Sequence, residues 1–192
     1  MGSLSFNTVQ GWNFDSGFSF TNWNSDEKGK YTAINTKFNY GFAEDRLRIS
    51  GKFSHRFNNQ NYATVSVSGG SKVNQFNDSN PISAFLNSIS SLYFKNNFMK
   101  LYNLEFAQIN YSQDVFNGIN LNGKLEYQQR KPLFNTTDFS FFSKDDIYSS
   151  NNPLNPTDDT NPGFEKHSLV KVNVNAKINF GNKYASRPDG KF

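Results

Sequence analysis

Four basic side chains stand at matching positions of one short stretch. Arg46, Arg48, Lys52 and Arg56 share a parity that Leu47, Ile49, Phe53 and Phe57 do not. Successive side chains of an extended chain point to opposite faces, so this spacing makes a charged, wet surface backed by an apolar one. Lys37, Lys124, Glu126, Arg130, Lys171 and Lys177 fall on the corresponding faces of other alternating segments. A water-filled lumen lined this way favours anionic solutes. The competing expectation is that the cations pair with Asp15, Glu105 and Glu126 across strands and only hold the surface together.

Other chemistry is sparse. His55 shares the apolar face of its segment and His167 opens another, so neither belongs to a Ser-His-Asp arrangement. No nucleophile elbow, zinc motif or phosphate loop is present, and Gly69-Gly70 reads as a strand end, so the expectation is a protein that is not an enzyme and carries no cofactor. The absence of cysteine removes thiol catalysis and thiolate metal sites. Asp145-Asp146 and Asp158-Asp159, with Asn155 and Asn161, offer oxygen ligands, but their spacing does not match a calcium-binding EF-hand loop and the expected metal content is none. In the same region Phe139, Phe141, Phe142 and Tyr148 could stack on sugar rings, grip a partner protein, or fold the segment onto itself.

The elements that must position these residues are long alternating strands. Seven are expected: about Gln10–Trp23, one carrying Ile34 to Phe42, Arg46–Phe57, one from Ala63 to Ser68, Tyr102 to about Val115, Ile119–Arg130, and Ser168–Phe180. Single-chain bacterial barrels are even-numbered and begin at eight, so the chain is either a segment of a larger barrel or holds an eighth strand near Leu4–Val9. Between Pro81 and about Phe94 the period changes to 3.6, with Ile82, Phe85, Leu86, Ile89, Leu92 and Tyr93 on one stripe. Asn80 is the expected N-cap and the apolar stripe the expected buried face. Residues 131–166 form a long loop rich in Asn, Asp, Ser and Pro. The fold class expected is all-β, an antiparallel meander forming part of a transmembrane β-barrel, in one domain over residues 4–192. Met1-Gly2-Ser3 reads as a tag remnant.

Composition agrees with that reading. Aromatics make up 17% of a chain that is only 35% hydrophobic, with a mean hydropathy of −0.70. A barrel with lipid outside and water inside has this balance. No apolar run approaches the roughly 18 residues of a membrane helix. The net charge of +4 is spread over alternate strand positions and forms no compact basic run, so nucleic acid is not an expected partner. In an antiparallel meander the connections alternate between rims. The turns at 24–29, 58–61 and 116–118 therefore share one rim, and the turn at 43–45, the helix and the long loop share the other, which is expected to be extracellular.

Several strings resemble an uncharacterised outer-membrane family of Bacteroidetes that carries an N-terminal carboxypeptidase-regulatory-like domain ahead of its barrel. They are FNTVQGWNF (Phe6 to Phe14), YGFAEDRLRISGKFSHRFN (Tyr40 to Asn58), SGGSKVNQFN (Ser68 to Asn77), NPISAFLNSISSLYFKNNFMKLY (Asn80 to Tyr102), EYQQRKPLFNTTDF (Glu126 to Phe139), FEKHSLVK (Phe164 to Lys171) and NFGNKYASRPDGKF (Asn179 to Phe192). The resemblance implies an internal barrel segment of a bacterial outer-membrane protein, with lipid, the remaining strands and the regulatory domain as partners and no catalytic residues to carry over. The function expected is transport, export or envelope assembly, with the solute unspecified. The competing expectation is a soluble β-sandwich that binds glycan or protein through its aromatic-rich loop, since half-buried strands alternate too.

Overall fold

The computed structural model describes residues 2–77, 79, 81–142 and 145–179. They form one antiparallel sheet in chain order, β1 (Ser3–Asn7), β2 (Gly11–Trp23), β3 (Tyr31–Gly41), β4 (Arg46–Arg56), β5 (Thr64–Gln75), β6 (Leu101–Phe116), β7 (Ile119–Pro132) and β8 (His167–Ile178), with one helix, α1 (Ala84–Phe94), between β5 and β6. The eighth strand is β1, only five residues long. The sheet is not closed: β1 and β8 are its two edges.

Alternation sets the register. Phe20, Ile34, Phe53, Val67, Ile109, Leu125 and Val172 stand side by side across β2 to β8. One residue along, Ser19, Asn35, Lys52, Ser68, Gln108, Glu126 and Lys171 do the same on the other face. A slip of one residue anywhere would put charge into the apolar row, which is why the pairing is so regular.

Three expected boundaries move. β5 does not stop at Gly69-Gly70 but runs on to Gln75. Gly70 has φ +133 and lies so close to β4 that a Cβ there would collide with the Ile49 carbonyl oxygen. Only glycine fits this conformation, and the β4–β5 ladder ends there, at Ser50↔Gly70. The helix starts at Ala84, not Pro81. Ser83 is its N-cap, without a side-chain cap bond, and the expected cap Asn80 lies outside the described residues. β7 extends to Pro132, so the long connection begins two residues later than expected. Phe180, the expected end of the last strand, also lies outside the described residues.

The sheet curls toward its polar face. Strands two apart in a flat sheet are separated by roughly 10 Å, yet Arg48 Nε of β4 donates to Asn103 Oδ1 of β6 at 2.6 Å. Above Gly70, Asn103 and Glu105 of β6 meet Arg48 and Arg46 of β4, and Ser71 of the intervening β5 donates to Asn103. At the same rim Val9, in the β1–β2 turn, packs on Met99 and Leu101 at the start of β6. The connections of the long-loop rim therefore converge into a cap, where most of the buried core lies.

Candidate functional site

The polar face gathers the charged residues singled out by alternation, and most of them have local partners. Lys124 pairs with Glu126 at 2.7 Å, Lys171 stands opposite Glu126, and Gln128 Nε2 donates to Glu126 at 2.6 Å. Arg130 donates to Gln128 and lies over the Tyr102 ring. Arg56 sits over the rings of Tyr31 and Tyr62 instead of meeting a carboxylate. Lys37, Lys52 and Lys177 form no ion pair among the described residues.

Of the three acids expected to neutralise this row, Glu126 and Glu105 do so. Glu105 lies 3.9 Å from Arg46 and 2.5 Å from Lys131. Asp15 instead accepts the amide of Asn39 at 3.0 Å. Arg48 is the largest fully buried side chain, held by both carboxylate oxygens of Glu44 and by Asn103. Glu44 sits in the tight β3–β4 turn, where strand parity says nothing. Its four-residue spacing from Arg48 across the turn was the one available signal.

Above this face the cap is built from amides and hydroxyls. Asn151 takes the place of a strand neighbour to Leu101, accepting its N–H at 2.8 Å and donating to its carbonyl at 2.7 Å, and it also donates to the Leu133 carbonyl at 2.6 Å. Thr136 binds the β1–β2 turn, its N–H donating to Thr8 O at 2.9 Å and its hydroxyl to Val9 O at 2.6 Å. On α1, Ser88 and Asn87 serve the backbone of Phe6, including a 2.8 Å bond from Phe6 N to Ser88 Oγ. The packing departs from expectation, since of the apolar stripe Leu92 is buried and Ile82 partly so while the rest is exposed. The helix buries Asn87, Ser91 and Leu92 and leaves Phe85, Leu86, Ile89, Tyr93 and Phe94 exposed or nearly so.

The aromatic loop residues divide. Tyr148 is buried against Phe6 and Leu92, its Oη 2.8 Å from the carbonyl oxygens of Ser91 and Phe139. Burial, and then the nearby charge of Asp138, push its pKa up to about 12. Phe139, Phe141 and Phe142 keep exposed faces and group with Tyr93. Lys95 reaches Asp138 at 3.1 Å. Lys100 donates to Ser149 and Ser150, and its burial lowers its pKa to about 8 against the opposing pull of Asp159.

The remaining candidates are local. Asp158 accepts from Thr160 and Asn161, bonds that lower its pKa, and Asp145 and Asp146 are exposed. Among the described residues no three acidic or histidine side chains are grouped to hold a metal ion. His55 Nδ1 meets Thr32 Oγ1 at 2.9 Å, and His167 Nδ1 meets the Glu165 carbonyl at 2.9 Å.

The whole chain, residues 1–192, matches the family described as "Family of unknown function (DUF5686) C-terminal domain". The chain belongs to that family. No curated protein and no solved structure matches it. The uncharacterised family suggested by the sequence strings is thus shown at this coarser level, and the family brings no assigned residue or ligand to the polar face or the cap.

Proposed function

We propose that this chain is wall of a bacterial outer-membrane β-barrel, a non-enzymatic part of a protein serving transport, export or envelope assembly. The observation that carries the reading is the row Phe20, Ile34, Phe53, Val67, Ile109, Leu125 and Val172, in register on seven strands and 43–70% exposed. Burying one such side chain is worth about 1.5–3 kcal/mol, and contiguous apolar surface on this scale marks a membrane or partner interface. A soluble sandwich would cover it with a second sheet, and the described residues form only one.

Strand length supports lipid as the cover. β2 to β8 run from 11 to 16 residues, against a usual five or six. Eleven residues at about 3.3 Å each, tilted about 45°, rise roughly 25 Å, the height of the apolar band of such barrels. No helix among the described residues is long and apolar enough to cross a membrane, and this leaves the strands as the spanning elements in our reading. The outer edge of β8 has no ladder partner among the described residues. Backbone groups in lipid must all be bonded, so the parent protein supplies further strands there, beyond the N-terminal regulatory-like domain that the sequence strings suggest. The rim bearing the cap then faces outward from the cell.

Membrane flotation of the intact protein, with circular dichroism in plain buffer and in detergent, tests the proposal. Flotation with outer-membrane vesicles and detergent-dependent β-structure are expected. A stable monomeric β-protein in plain buffer would overturn the proposal in favour of a soluble binding module.

A further inference from the structure

Helix α1 turns Asn87, Ser88 and Ser91 toward protein and, apart from the buried Leu92, its large apolar residues away. Asn87 and Ser88 bond the backbone of β1, while Phe85, Leu86 and Phe94 are 70%, 60% and 64% exposed. The helix AFLNSISSLYF contains no charged residue. Its open side is therefore mainly hydrocarbon and aromatic surface, the reverse of an ordinary surface helix.

That surface continues the apolar side of the sheet. Trp12 shares the parity of Phe14, which stands opposite Tyr40 and, through it, Leu47. From Trp12 an unbroken series of rings leads to the helix: Trp12 to Phe6 at 5.6 Å, Phe6 to Phe139 at 6.2 Å, Phe139 to Phe141 at 5.5 Å and Phe141 to Tyr93 at 5.7 Å. The link at Phe6 is buried, and the exposed rings of Phe139, Phe141 and Tyr93 carry the apolar surface on to the helix. Eleven residues span only about 16 Å at 1.5 Å each, so the helix can lie along a bilayer but not cross it.

We infer that α1 lies in the headgroup–acyl boundary of the membrane on the long-loop side, with outer-leaflet lipid covering Phe85, Leu86, Ile89 and Phe94. Interfacial helices place an apolar face at that depth and a polar face toward water; here the polar face is docked on β1 instead. The inference rests on the membrane reading above, and it adds a specific lipid contact at the rim.

The test uses the intact protein in vesicles, with a fluorophore on a single introduced cysteine, Leu86→Cys or Ile89→Cys at the helix and Leu125→Cys on the sheet. Spin-labelled lipids quench from headgroup or chain depth, and a soluble nickel chelate quenches from water. Both helix variants should lose more emission to headgroup-level spin label than to the chelate, and Leu125→Cys should lose most to the chain-level label. Stronger quenching of the helix variants by the chelate, or quenching by neither, overturns the inference, the first placing the helix in water and the second against protein. If Leu125→Cys also escapes the lipid quenchers, the membrane reading itself fails. If Leu125→Cys is quenched and the helix sites are not, only the helix placement fails.

Discussion

From Asn120 to Pro132, β7 meets β6 residue for residue in an uninterrupted ladder; one residue further on, Leu133 gives its carbonyl to the side chain of Asn151. The wall and the cap differ in this way throughout. In the wall, backbone satisfies backbone and side chains are free to divide by face. In the cap the backbone has left the ladder, and Asn87, Asn151, Ser88 and Thr136 take over as partners. Buried polar groups must be bonded wherever they lie. The cap holds Phe6, Val9, Leu92, Met99 and Tyr148 among buried Asn and Ser side chains, and each of its side-chain bonds depends on one particular residue.

The largest effect should come at the junction of the two regions. Glu44→Ala leaves the Arg48 guanidinium buried without its carboxylate and should cost about 3–5 kcal/mol, read as a shift in the urea midpoint for folding into vesicles. The double change Glu44→Leu with Arg48→Met should recover most of the loss, since no charge is then stranded.

In the wall, Leu125→Arg should cost roughly 2–4 kcal/mol in the same assay if the apolar row meets the bilayer near its midplane. Ser68→Arg, on the polar face, should change little. Equal costs at the two positions would erase the difference between the faces. In the cap, Asn151→Ala removes one acceptor and one donor from Leu101 and a donor from Leu133, at about 1–3 kcal/mol. Protease nicking within residues 133–166 should rise together with that loss, while the wall keeps its circular dichroism.

The smallest effect is on pH and belongs to the cap alone. Lys100 has a folded pKa of about 8, below the 10.5 of a free lysine. Between those values the unfolded chain holds more protons, so stability rises with pH. Tyr148 runs the other way: its pKa of about 12 exceeds the free value of 10.0, the folded form retains the proton, and stability falls above pH 10. Thermal melting should therefore improve from pH 8 toward 10 and worsen beyond. Lys100→Met should flatten the first limb and Tyr148→Phe the second.

Much of the wall was legible in the sequence, because strand parity is a local property. The faces of β2, β3, β4, β7 and β8 follow from every second residue. β1 was harder because five residues scarcely establish a period. β5 looked finished at Gly69-Gly70 because glycine pairs resemble strand ends; here Gly70 marks a close approach to β4. The helix was legible as a helix but not in its orientation. Burying the apolar stripe assumes water on the other side, and α1 spends its polar side on the edge of β1. Nothing in local pattern pairs Asn151 with Leu101 or Thr136 with Val9, since side-chain bonds to distant backbone have no period.

The bond between Thr136 and Val9 spans 127 positions, and this has a consequence in time. Apart from β5–β6 and β7–β8, which are joined through the helix and the long loop, the meander can zip from hairpin to neighbouring hairpin, each closing a short loop at small entropic cost. The first strand pairs with β2 and is held by α1 earlier, but the last latch on its turn, Thr136, is not delivered until seven strands have been laid down. Long-range contacts are rewarded only after the chain between them is ordered, so the β1–β2 turn should gain its full protection late in assembly, although it is the first turn to be made.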